Sequence, residues 1–166
     1  MFSRKFIQTI AEWQNFGGSD KKVTKAILNL EVPQEFKICN EPIYRVIGVN
    51  DISDVKIDNI GSWSIKETIA KQFVKSLWFQ DFQTEMAVLL MIQQPKSSNI
   101  ILNLHAVWAN KEFRESIAYY EDKGLYFNEG LDFEDDQKEV IYKTDKKSQP
   151  VILATNNRNK WIPYKK

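Results

Sequence analysis

Ile43-Tyr44-Arg45-Val46-Ile47-Gly48-Val49 is rich in β-branched residues and reads as a strand. Before it the periodicity is helical. Phe2, Phe6, Ile10 and Trp13 fall on one face of a helix. Gly17-Gly18-Ser19-Asp20 breaks that helix, and Ser19 or Asp20 can cap the next one. Val23, Ala26, Ile27 and Leu30 mark a second short helix, ended by Pro33. After residue 43 strands dominate. Gly61-Ser62-Trp63-Ser64 is short and extended. Residues 86–93 and 100–108 are apolar runs separated by a turn cluster, and read as a hairpin or two neighbouring strands. Residues 137–143 and 150–155 are later strands. Two helices interrupt this series. One covers residues 66–79, with Ile69, Ala70, Phe73, Val74 and Leu77 at helical spacing. Ser64 is its expected N-cap, and Glu67 completes a capping box. The other covers residues 111–121 and stops at Gly124. Helices early and strands late predict an α+β fold rather than alternating β-α units.

The chain has 166 residues, enough for one ordinary domain. Residues 1–166 are expected to form that domain, with residues 1–40 a helical lead-in and residues 41–166 the β core. Apolar residues make up 43% and aromatic residues 13%, so a real core can be buried. The net charge of +1 gives no general argument for a nucleic-acid or membrane partner. The charge is uneven, however. Glu129, Asp132, Glu134, Asp135, Asp136 and Glu139 form an acidic stretch, followed by a basic tail. Both read as solvated segments or as a docking surface beside a site. Cys39 is the only cysteine, so no internal disulfide is possible. Residues 1–16 lack the apolar stretch of a signal peptide, and no apolar run reaches the ~18 residues of a membrane helix. A cytoplasmic location without a membrane partner is the expectation. Oligomeric state is not legible.

Three places are odd on structural grounds. Arg45 shares a strand face with Ile43, Ile47 and Val49. A charge on an apolar face must be paired or must look into a cleft. Its planar fork suits phosphate or carboxylate; the plainer alternatives are a buried acid partner or a wet strand end. Ser62-Trp63-Ser64, if extended, turns both hydroxyls one way and Trp63 the other, and two hydroxyls beside a helix N-terminus can orient a polar ligand. The plainer alternative is a helix cap alone. Gln137 and Glu139, two apart on a strand, reach the same side at the end of an acidic loop carrying Phe127 and Phe133. The plainer alternative is an exposed polar strand end.

In this order, the three places resemble the Arg-Ser-Glu class of mono-ADP-ribosyltransferases, which includes bacterial toxins and bacteriophage enzymes. Tyr44-Arg45 looks like its arginine motif. Ser62-Trp63-Ser64, with the helix through Phe73, looks like its serine motif, and Gln137-Lys138-Glu139 looks like its glutamate motif. The class usually has Ser-Thr-Ser, so Trp63 is a departure. The resemblance covers residues 43–142 and leaves the first forty uncovered. It implies two small antiparallel sheets packed at an angle, a split β-sandwich with flanking helices. It implies transfer of ADP-ribose from NAD, as substrate, to a macromolecular acceptor with release of nicotinamide, and no metal. Glu139 would hold the ribose and offset developing positive charge, and Ser62 would position Glu139. Arg45, with Tyr44, Ser64 and Phe73, would bind NAD. Gln137 and Phe133 would read the acceptor. A glutamine at 137 argues against arginine as the modified group. For an enzyme of phage or toxin origin the location becomes the host cytoplasm.

There is no G-x-G-x-x-G and no Walker loop. His105, the only histidine, alternates with leucines on a strand and faces outward or lies at an edge, with no nucleophile elbow to serve. The acidic stretch lacks the spacing of a calcium loop, and one cysteine with one histidine makes a zinc site improbable. A protein acceptor is favoured over RNA or DNA because net charge is near zero. The rival from another class is a non-catalytic interaction protein that keeps the fold.

Overall fold

Arg4–Phe16 forms the first helix, α1, and buries Phe6, Ile7, Ile10 and Trp13 along the stripe the sequence marks. Ser3 caps it by accepting from the Phe6 N–H at 3.2 Å. Gly17 ends it with φ 61°, a left-handed conformation that glycine adopts without steric cost. Asp20 then caps α2, Lys21–Leu28, by accepting from the N–H groups of Lys22 and Val23. The structure is a computed structural model that describes residues 1–57, 59–75, 84–127, 130–131, 135–158 and 160–165. The remaining elements are β1 (Ile43–Val49), β2 (Ile60–Ser64), α3 (Glu67–Gln72), β3 (Met86–Ile92), β4 (Ile100–Asn103), α4 (Leu104–Ala109), α5 (Lys111–Glu121), β5 (Glu139–Lys143), β6 (Val151–Asn156) and β7 (Trp161–Pro163).

The class is α+β. All seven strands join one curled antiparallel sheet in the order β4-β5-β2-β1-β3-β6-β7. β1 and β3 pair along their whole length, from Ile43↔Ile92 to Val49↔Met86. β2 and β5 likewise pair from Ile60↔Lys143 to Ser64↔Glu139. Between the two blocks only Tyr44↔Ser64 is in register. The sheet is therefore continuous but nearly divided at this seam.

The central strands are covered on both faces, and their alternation decides which core each side chain joins. Ile43, Val88 and Leu90 from one block meet Trp63, Val140 and Tyr142 from the other in a shared core, which is what curls the sheet. On the outer side, α1, α2, α4 and α5 pack over β4 and β5 through Phe6, Ile10, Ile27, Val107, Phe113, Leu102 and Ile141. Ala70 and Val74 cover Val46, Leu89 and Ala154 of the other block. The outward side chains of the seam thus open between α1 on one side and α3 on the other.

Several expectations need correction. Ile100–Trp108 is not one strand. Asn103 ends β4 and caps α4, accepting from the Ala106 N–H at 3.1 Å. β3 and β4 are not neighbours either; three strands separate them. Ser64 does not cap α3. Lys66 holds the N-cap position without a side-chain bond. The Ser64 hydroxyl instead accepts from the Lys66 N–H and donates to the Gln137 carbonyl at 2.8 Å. α3 ends at Gln72, residues 74–75 are helical again after a turn at Phe73, and residues 76–79 of the expected helix lie outside the described residues. α2 ends at Leu28, ahead of Pro33. Gln137 precedes β5 rather than belonging to it. His105 sits on α4, half-buried, with Nδ1 2.6 Å from Asp135 Oδ2. Among the described residues no helix is long and apolar enough to cross a membrane.

Candidate active site

The seam floors a cleft of about 740 Å³. That lies within the ~300–1,000 Å³ of small-molecule and cofactor sites. One wall is the end of α1 and its turn, from Trp13 to Ser19. The other is Ala70 and Phe73 of α3 and its C-cap. The floor is Tyr44–Val46 of β1, Asn59 and β2, with Gln137 and Glu139. Tyr44, Arg45, Ser62, Ser64, Phe73, Gln137 and Glu139, far apart in sequence, all line it. Phe133 lies outside the described residues.

Glu139 opens β5 and is 4% exposed. Its Oε1 accepts from the Ser62 hydroxyl and, at 2.7 Å, from the Trp13 indole N–H. Among the described residues Oε2 accepts no hydrogen bond. Burial pushes the Glu139 carboxyl above its ordinary range, and the bonds from Ser62 and Trp13 oppose that rise. A buried carboxylate facing a cleft with one oxygen uncommitted is poised to meet a hydroxyl or a developing positive charge. The turn before it is fixed from two sides. Asp135 Oδ2 accepts from Lys138 Nζ at 2.6 Å as well as meeting His105. Lys138 adopts φ 48°.

Arg45 lies half-buried in the seam. Its Nη1 donates to Asn59 Oδ1 at 3.2 Å, and its guanidinium carbon sits 6.0 Å from the centre of the Trp63 ring. Burial lowers its pKa, and no other cause accompanies that. A guanidinium nonetheless stays protonated in proteins. Among the described residues Arg45 makes no ion pair, so a full positive charge faces the cleft with an amide as its hydrogen-bond partner. That is the setting of an anion subsite.

Gly61 makes room for it, because a Cβ there would overlap the guanidinium. Gly61→Ala is expected to dislodge Arg45 and weaken inorganic pyrophosphate binding about tenfold, on the scale of one charge-assisted contact. Titration calorimetry checks this. Unchanged affinity would remove Arg45 from the anion subsite.

Sequence reasoning missed Trp13, Asn59 and Gly61. Trp13 reads as one more residue of a helix stripe, although a buried indole N–H needs an acceptor and so carries a weak signal. Asn59 and Gly61 carry no signal of their own. Among the described residues no three His, Cys, Asp or Glu side chains converge on a metal position. Compared with known proteins, the chain matches no family model, no curated protein and no solved structure.

Proposed function

We propose that the chain is a mono-ADP-ribosyltransferase that uses NAD as substrate. The observation that carries this reading is the pairing, in one cleft, of a buried carboxylate bonded to Ser62 with a guanidinium that has no acid partner among the described residues. NAD offers both complements: a pyrophosphate for Arg45 and a ribose whose hydroxyl can donate to Glu139. The near-division of the sheet at Tyr44↔Ser64 is compatible with the two-sheet arrangement of that class.

In the reaction, the bond between the nicotinamide nitrogen and ribose C1 breaks. Its electron pair leaves with nicotinamide, which departs neutral. The sugar passes through an oxocarbenium-like state, as in glycoside cleavage. Glu139 offsets the charge developing there, and Ser62 keeps it oriented. An acceptor nucleophile then bonds to C1 and gives up its proton. Arg45, with Tyr44, holds the phosphates, while Phe73 offers a half-exposed ring for stacking at the far wall. Gln137, which lines the cleft two residues before Glu139, would meet the acceptor. A glutamine has no charge with which to deprotonate a guanidinium, so the reading favours an acceptor other than arginine. A protein acceptor is preferred over nucleic acid.

The test is nicotinamide release by the purified chain, with and without cell extract, using NAD labelled in its adenylate half. The expected result is release, with label passing to a macromolecular fraction that protease dissolves. Label removed by nuclease instead would move the acceptor to nucleic acid. No release in any condition from folded protein would reject the reading.

A further inference from the structure

Trp13 and Glu139 are 126 residues apart, yet the indole N–H meets Glu139 Oε1 at 2.7 Å with both side chains buried. α1 thereby reaches the centre of the cleft. The turn after α1 keeps it there. A Cβ at Gly18 would lie 3.1 Å from the Ile60 carbonyl oxygen and 3.5 Å from the Trp13 ring, so the turn is closely applied to both. Ser62 approaches the same carboxylate oxygen from β2. We propose that Trp13 is a positioning residue for Glu139: with Ser62 it occupies Oε1 from two sides and leaves Oε2 to the substrate.

The two donors differ in kind. A serine hydroxyl both donates and accepts, so Ser62 can serve an ionised or a protonated Glu139. An indole N–H only donates. Trp13 therefore favours the carboxylate over the acid, and in doing so opposes the effect of burial. Two donors on one oxygen, from a helix and a strand, also fix the side-chain rotamer more tightly than either alone. The other titratable side chains among the described cleft residues are Arg45 and the Tyr44 phenol. The first stays charged across the range where a carboxyl ionises.

The role assigned to Oε2 rests on the transferase reading, whereas the control of Glu139 by Trp13 does not, so two readouts are taken. The first is the ¹⁵N-indole spectrum of the wild-type chain against pH, with the Trp13 resonance assigned as the one absent from Trp13→Phe. It is expected to shift through one transition that vanishes in Glu139→Gln. A resonance that does not move, or moves identically in Glu139→Gln, would overturn the proposal. The second is the pH profile of nicotinamide release by Trp13→Phe. The acidic limb is expected about one unit higher, with kcat at neutral pH down about tenfold and KM for NAD within twofold. That scale is one charge-assisted hydrogen bond lost. An unmoved limb would overturn the proposal even if overall activity fell. Should the wild type release no nicotinamide while its Trp13 resonance still follows Glu139, the transferase reading fails and the control of Glu139 by Trp13 stands.

Discussion

Glu139→Gln is expected to lower nicotinamide release about 10²–10³-fold while the folded protein becomes more stable at neutral pH. The first number is the scale of losing one preorganised electrostatic partner of a transition state. Gln keeps a carbonyl oxygen that can accept from both Ser62 and Trp13, so the geometry around residue 139 survives and NAD affinity stays within about threefold. What disappears is the negative charge. The gain in stability has the same cause. Burial raises the Glu139 pKa in the folded state, so folding disfavours the ionised form. For a carboxyl whose folded pKa is raised, the contribution to stability is full below the unfolded value of ~4.3 and is lost as pH rises through the folded value. The wild type therefore loses stability relative to Gln as the medium goes from acid to neutral. A gain of about 1 kcal/mol would appear as roughly 2–4 °C in Tm for a chain of this size. The difference in Tm between the two proteins should close at acid pH. Thermal melts over a pH series, beside the release assay, check both halves. A Gln variant less stable than wild type at neutral pH would contradict the buried carboxylate. One that keeps full activity would remove Glu139 from the chemistry.

The same residues show what a sequence can and cannot carry. β1, β2 and β5 were legible because local pattern and burial agree: Ile43, Trp63 and Val140 face the shared core as alternation requires. α5 was legible to its ends, since Asn110 caps it and accepts from the Phe113 N–H. Asn103 misled because an apolar run hid a strand-to-helix switch at one polar residue. β7 was missed because Trp161-Ile162-Pro163 is short and its proline is tolerated only at a sheet edge, where the structure puts it. Strand order was not legible at all, because pairing β5 with β2 and β4 depends on contacts distant in sequence. The polar side chains that meet in the cleft were legible as oddities: a charge, hydroxyls and a carboxylate on faces that should be apolar. Their supports were not. Trp13 looks like core and Asn59 like loop until the fold brings them to Glu139 and Arg45.

Trp63→Ala is expected to cost about 3–5 kcal/mol, the range for truncating a buried large aromatic. At roughly 2–4 °C per kcal/mol, Tm would fall by about 6–20 °C. Trp63 is 1% exposed and packs edge-on against Tyr142, ring centres 6.2 Å apart, inside the core that both halves of the sheet share. It stands between the two seam hydroxyls in sequence, yet its side chain points into that core, away from Glu139. A tryptophan between the two serines is thus a packing choice, with the Arg45 guanidinium above its ring as the link to the cleft. Among the described residues the Trp63 indole N–H is buried without an acceptor. An unpaired buried donor carries a desolvation cost of about 1–3 kcal/mol. Phe lacks that donor and keeps most of the ring, so Trp63→Phe is expected to stay within about 1 kcal/mol of wild type. The lost polar penalty offsets much of the smaller packing. Denaturant melts of the two variants separate the readings. A Phe variant as unstable as the Ala variant would mean that the indole N–H has a partner the fold depends on. A mild Ala variant would mean that the two halves of the sheet do not depend on this residue for their shared core.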